Sequence, residues 1–202
     1  MSTNLNCPSC GGPINNISPI VRSISCDYCA SLVYFNNSSW HNGGKFPTEI
    51  AAPALLQVER QGQFEGQAFR VAGRVRLEYS SGSWDEWWLE FENGEDRWLE
   101  EDDGSYFFHQ SVPVTATPGD FQDLGAGQML TTGDKSWFIT ETGKASVAGV
   151  QGQLPVTLQP GFQLRYFDAI TEGREISIEV WGNEVEASLS HSVDPSALNW
   201  RR

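Results

Sequence analysis

Val71-Ala72-Gly73-Arg74-Val75-Arg76-Leu77-Glu78-Tyr79 is the stretch that decides the fold class. Val71, Gly73, Val75, Leu77 and Tyr79 fall on one face and Arg74, Arg76 and Glu78 on the other, the period of two that marks a half-buried β-strand. Downstream, Trp87 to Glu92 repeats the alternation, Trp87, Leu89 and Phe91 against Trp88, Glu90 and Glu92, and meets Asn93-Gly94, the strongest short hairpin signal. Pairing across that turn sets Phe91 opposite Asp96, Glu90 opposite Arg97 and Leu89 opposite Trp98. On the other side, a three-residue loop Ser81-Gly82-Ser83 aligns Leu77 with Trp87, Val75 with Leu89 and Arg74 with Glu90, which keeps apolar faces together. The expectation is a three-stranded meander with an Arg74, Glu90, Arg97 ladder on its exposed face.

The same idiom runs to the end of the chain. Trp137-Phe138-Ile139, Ala145-Ser146-Val147 and Arg165-Tyr166-Phe167 are strand-like runs broken by Gly or Pro, and no long helical period appears. Glu175 to Trp181 and Glu184 to Ser190 flank Gly182-Asn183, so that Val180 meets Val185, Ile178 meets Ala187 and Ile176 meets Leu189. Gly62 to Val75 and Gly133 to Val147 share an order of turn, aromatic strand, glycine and strand, a weak internal duplication. About 150 residues suffice to bury roughly 70% of the unfolded surface in one core. The predicted class is mainly β: an antiparallel β-sandwich or partly open barrel over residues 46–202, preceded by a small zinc ribbon and linker over residues 1–45.

The ribbon rests on four cysteines. Cys7-Pro8-Ser9-Cys10 and Cys26-Asp27-Tyr28-Cys29 are two Cys-x-x-Cys pairs separated by fifteen residues, within the window of a four-thiolate zinc site. Two residues between thiols let one tight turn aim both sulfurs at the same ion, and Cys7, Cys10, Cys26 and Cys29 together complete a tetrahedron with no position for a catalytic water. A structural Zn²⁺ is expected, supplying folding energy on the order of 10 kcal/mol to a ribbon with little apolar material. Ala30 stands where glycine is common, at a cost of about 1 kcal/mol if its φ is positive. Ile20 to Ile24 and Leu32 to Phe35 read as short strands, and Asn36 to Gly44 reads as an interdomain linker ending near Lys45, with His41 a solvated loop residue.

The formal charge of −13 opposes nucleic acid and anionic lipid, both recognised through positive potential, and favours a basic or cationic partner. Up to residue 45 the chain carries only Arg22, Lys45 and Asp27, so the acidity belongs to the β domain. Weak nucleic-acid binding by the ribbon would have Arg22 and Lys45 alone for phosphates. No run approaches the roughly 20 apolar residues of a membrane span, and no signal peptide is evident. A cytoplasmic protein follows, with membrane association only through a partner.

Three blocks resemble a known family. Val71-Ala72-Gly73-Arg74-Val75, Trp84-Asp85-Glu86-Trp87-Trp88-Leu89 and Arg97-Trp98-Leu99-Glu100-Glu101 look like the bacterial domain of unknown function 4178 family, whose members often carry an N-terminal zinc ribbon. Val150-Gln151-Gly152-Gln153-Leu154-Pro155, Tyr166-Phe167-Asp168 and Ile176-Ser177-Ile178-Glu179 extend the likeness over residues 49–199. The resemblance implies no activity, but an association with membrane-stress and envelope-maintenance proteins.

For function, Trp84, Asp85, Glu86, Trp88 and Glu100 form the candidate binding surface, on a non-enzymatic protein that recruits a protein partner. A hydrolase would instead set carboxylates such as Asp85, Glu86 or Glu100 in an aromatic cleft, with perturbed pKa values around one pocket. Acidic runs beside turns are more commonly solvated faces. Nothing local recruits His109 or His191 to catalysis or selects a serine for either. Trp200-Arg201-Arg202 reads as a disordered tail.

Overall fold

A computed structural model describes residues 3–46, 55–132, 135–159 and 161–201. The expected junction just after Lys45 leads into residues 47–54, outside the described residues, as is Arg202. In the N-terminal unit β1 (Thr3–Asn6) pairs with β2 (Pro13–Ile17), and β3 (Ser23–Ser25), β4 (Leu32–Asn36) and β5 (Ser39–Gly44) form an antiparallel sheet. The strand expected from Ile20 is confined to Ser23–Ser25, because Val21 donates back to the Ser18 carbonyl in a turn. The expected linker is mostly strand: Asn42, His41 and Trp40 pair with Val33, Tyr34 and Phe35. Asn37 and Ser38, at φ 47° and 63°, make its two-residue hairpin turn, and this is why the segment looked rich in turn formers.

The remainder comprises β6 (Gln61–Phe64), β7 (Gln67–Tyr79), β8 (Gly82–Phe91), β9 (Arg97–Asp102), β10 (Ser105–Ser111), β11 (Met129–Thr132), β12 (Lys135–Leu154), β13 (Gln163–Thr171), β14 (Arg174–Trp181) and β15 (Glu184–Ser192). Of the two expected architectures it is the barrel, and it is closed: β7, β8, β9, β10, β15, β14, β13 and β12 follow one another, and β12 returns to β7. The outer strand β6 pairs with β7 and β11 pairs with β12.

Closure depends on two glycines. Gly73 and Gly152 are paired across the β7–β12 seam. A Cβ on Gly73 would lie 2.3 Å from the Gln153 oxygen, and one on Gly152, at φ +69°, 2.3 Å from the Ala72 oxygen. The Val71-to-Val75 and Val150-to-Pro155 blocks therefore meet where the barrel closes.

The C-terminal hairpin has the predicted register, with Val180 on Val185, Ile178 on Ala187 and Ile176 on Leu189. The meander does not. Its first turn is the two-residue Ser80-Ser81, so Leu77 meets Trp84, Val75 meets Glu86 and Arg74 meets Trp87. A bulge at Ala72 then restores Val71 opposite Leu89. The second hairpin is offset as well, Leu89 on Arg97 and Trp88 on Trp98, because the Asp96 carboxylate accepts the Phe91 backbone N–H and widens the loop around Gly94. The ladder is dissolved: Glu90 accepts from Arg70 at 2.6 Å, while Arg74 turns to Asp85.

Apolar side chains are concentrated on the outer face of much of the barrel. Phe69, Val71, Trp87, Leu89, Leu99 and Phe108 pack under Leu56 and Leu198, and Phe167, Ile176 and Ile178 pack under Phe121. Of the tail expected to be disordered, Trp200 sits on Phe69 and under Arg60, and the Arg201 backbone N–H donates to the Gln61 carbonyl. The ribbon is joined to the barrel by pairing of β3 with the end of β12, Ser23 on Leu154 and Ile24 on Gln153. Leu32 of the ribbon packs with Leu154 and Leu158 in a third cluster that fills this end of the barrel.

Candidate functional sites in the ribbon and the barrel lumen

The four cysteines converge as expected, with all sulfurs within 4.8 Å of one another. Cys7 and Cys29 lie 3.9 Å apart, as do Cys10 and Cys26, near the ~3.8 Å edge of a tetrahedron with 2.3 Å metal–sulfur bonds and far beyond a disulfide. Backbone N–H groups of Ser9 and Gly12 donate to the Cys7 and Cys10 sulfurs at 3.4 Å, as thiolates require. Ala30 does take a positive φ of 55°, with the strain anticipated from its missing glycine. The donor set could hold a tetrahedral, thiophilic metal ion. His41 lies apart, hydrogen-bonded to Ser39.

The second site follows from register. Side chains that oppose one another across a ladder share a face, which puts Val75, Glu86, Glu100, Asp168, Glu179 and Glu186 on the inner face with Trp84, Trp88, Trp98, His109 and Tyr166. Two cavities of about 370 and 530 Å³ lie against this inner face and share Ser177 and Glu179 in their walls. Both are of ligand-binding size.

Of the sequence-predicted surface, Trp84, Glu86, Trp88 and Glu100 turn to this inner face. Asp85 does not: on the outer face it takes paired hydrogen bonds from Arg74 at 2.8 Å and from Arg76 at 2.6 and 3.0 Å. Arg74 is fully buried and stacks over Trp87, so Asp85 is a structural counter-ion. Glu101, also outside, accepts from Trp87 Nε1 and the Tyr106 hydroxyl at 3.0 Å. The candidate surface is thus split between two faces, and its inward part is a lumen wall instead of an exposed patch.

The lumen brings in residues that the sequence did not single out. Glu86 accepts from Trp84 Nε1 at 3.0 Å and lies within hydrogen-bonding reach of Glu179. Burial raises both carboxyls, Glu179 well above the usual range with the Glu86 charge adding to the effect. Burial likewise lifts Asp168 to about 6, against a stabilising hydrogen bond with Ser177. His109 is held between Glu100, 2.9 Å from Nε2, and Ser188, 2.7 Å from Nδ1. Burial alone would depress this imidazole, but the Glu100 carboxylate raises it. The indole N–H of Trp88, in the inward row beside Trp98, is buried and has no hydrogen-bond partner.

A local signal for these groups exists but is ambiguous. Glu184-Val185-Glu186-Ala187-Ser188-Leu189-Ser190 alternates like any strand with one wet face. Only closure makes that wet face a cavity wall.

A family model described as Domain of unknown function (DUF4178) matches residues 57–195, which contain every lumen residue named above and exclude the ribbon. No curated protein and no solved structure matches the chain.

Proposed function

The chain belongs to the DUF4178 family of domains of unknown function, and from that premise we propose that its barrel is a binding protein for a positively charged organic molecule held in the lumen. One observation carries the reading: among the described residues, nine carboxyl side chains line the two cavities, and no lysine or arginine does. Trp98, Trp181 and Tyr166 add aromatic walls that favour organic cations. A metal ion is the poorer occupant, because among the described residues only the four cysteines bring three or more His, Cys, Asp or Glu ligand atoms together.

The ribbon is read as a structural zinc site, since four thiolates with no fifth donor match that metal's preference. The free thiols favour a reducing, cytoplasmic setting. Contacts with a protein partner are assigned to the ribbon, where Tyr28 is 67% exposed on the second knuckle.

Calorimetric titration of the full chain with benzylammonium, benzyl alcohol and benzoate tests the luminal reading with ligands of one shape and three charges. Heat with the ammonium alone, weakened in Glu86→Gln, is expected; preference for the alcohol or the carboxylate defeats it.

A second reading is favoured by the Ser188, His109, Glu100 line, which has the connectivity of a nucleophile, base and orienting carboxylate. It makes the lumen a hydrolase site of a different kind from the carboxylate-based hydrolase expected from the sequence. Because Glu86 and Glu179 lie within hydrogen-bonding reach of each other, they are too close to flank a glycosidic bond. Hydrolysis of p-nitrophenyl acetate that disappears in Ser188→Ala would establish the acyl-transfer alternative.

A further inference from the structure

Resting on the reading of the ribbon as a metal site, we infer that metal loading of the four cysteines controls access to the smaller barrel cavity. The link is a stretch of chain, residues 155–158 just after β12, that is at once a wall of that cavity and the strip on which the ribbon docks. Pro155, Val156, Thr157 and Leu158 all line the cavity of about 370 Å³, whereas no described residue of the ribbon does.

The ribbon holds this stretch at both ends. Leu154, just before it, accepts from the Arg22 backbone N–H at 2.8 Å, the Thr157 hydroxyl donates to the Phe35 carbonyl at 3.2 Å, and the Leu158 N–H donates to the Ser23 hydroxyl at 2.8 Å. Ser23 is fully buried and Leu158 is buried with it. Leu32 of the ribbon shares one apolar cluster with Leu154 and Leu158 and with the cavity residues Val75, Leu77 and Leu164, so packing is continuous from ribbon to cavity.

The cysteines govern these contacts because they close the hairpin that makes them. Ser23 lies on β3 and Phe35 on β4, and the two strands are paired over only three positions. Their connection is the second knuckle, where the Cys26 N–H donates to the Ser31 carbonyl at 3.0 Å. So short a hairpin has little stability of its own. A metal ion that ties Cys26 and Cys29 to Cys7 and Cys10 fixes it. Without the ion the turn opens, and Ser23 and Phe35 withdraw together. The Leu158 N–H then loses its buried acceptor, and residues 155–158 satisfy it by turning out to water, which removes one wall of the cavity. Linkage makes the effect reciprocal, so a molecule held against this wall tightens metal binding in the ribbon.

The test uses the full chain, methyl-labelled at Ile, Leu and Val, zinc-loaded and then chelated, with a soluble nitroxide as the paramagnetic probe read by NMR. Chelation is expected to broaden the methyls of Val75, Leu77 and Leu164 in the cavity together with Val33 of the ribbon, and to spare Ile139 in the outer packing. Leu158 amide exchange should accelerate about tenfold or more, the loss of one buried hydrogen bond. Ser23→Ala in zinc-loaded protein removes the wall's acceptor and leaves every thiolate in place, so it should broaden the same cavity methyls without metal loss. Broadening of Val33 with the cavity methyls unchanged overturns the inference and leaves the metal reading intact. Protein that takes up no zinc defeats both. If chelation melts the whole chain, Ile139 included, the Ser23→Ala protein decides, and unchanged cavity methyls in it overturn the coupling.

Discussion

The Glu179 carboxyl on β14 lies within hydrogen-bonding reach of Glu86 on β8, although β9, β10 and β15 separate the two strands around the sheet. The contact therefore spans the lumen. Two carboxyls can share it only while one keeps its proton, so the unliganded barrel depends on acid groups remaining neutral.

Stability should fall as pH rises. The Glu86 and Glu179 carboxyls and Asp168, at about 6, bind protons more tightly in the folded chain than in the unfolded one. The folded state then holds more protons between the ordinary carboxylate range and the raised values, and stability is lost across that window. His109, also raised, contributes stability that is present below its ordinary value and lost as pH climbs through the folded one, in the same direction. The melting temperature of ligand-free protein should be several degrees higher near pH 5 than near pH 8, measured by calorimetry.

Ligand binding should reverse that slope. A cation beside Asp168 and Glu86 favours their ionised forms, so association releases protons and strengthens as pH rises through about 6. Titration heats in buffers of differing ionisation enthalpy would show proton release near pH 6 and little near pH 8.

Asp85→Asn should destabilise the barrel by about 3 to 5 kcal/mol, because it removes the carboxylate that takes paired hydrogen bonds from the fully buried Arg74. Urea unfolding measures it. Glu100→Gln, on the opposite face of the sheet, should cost much less and should lower the His109 pKa, read by proton NMR.

Gly152→Ala should impair closure itself. The residue would take φ +69° and drive its methyl group into the Ala72 carbonyl, at a cost of about 2 kcal/mol or more. Faster amide exchange along both β7 and β12 is the expected signature, and exchange confined to the immediate loop would count against the seam.

Chelation should separate the ribbon from the barrel. Removal of the metal ion held by the four cysteines, one per chain by metal analysis, is expected to unfold β3 to β5, while barrel strands keep their protection except near Leu154 and Leu158. Those two residues depend on ribbon partners, since Leu154 accepts from the Arg22 backbone N–H and Leu158 donates to the Ser23 hydroxyl at 2.8 Å.

The sequence was most legible where chemistry is local. Cysteine spacing located the four sulfurs that converge, and the Gly182-Asn183 turn fixed its hairpin register. The meander register failed because its first turn is the two-residue Ser80-Ser81 and because Asp96 caps a backbone group in the second, and an alternation count contains neither event. The same count placed Glu86 and Asp85 beside each other as one acidic surface. In a strand they are on opposite faces, and barrel closure made one a lumen carboxyl and the other a buried counter-ion. Ser188, Glu179 and Asp168 could not be assembled, since they meet Glu86 and His109 only through long-range strand order.

Pairing of β3 with β12 also limits how the chain can be dissected. A version trimmed to begin after the ribbon would bare the hydrogen-bonding edge of β12 from Gln153 to Leu154 and expose the apolar patch that Leu32 covers. Such an edge recruits neighbouring molecules. Truncated preparations should therefore self-associate, whereas replacing the ribbon by any short strand that docks on the same edge should keep them monodisperse.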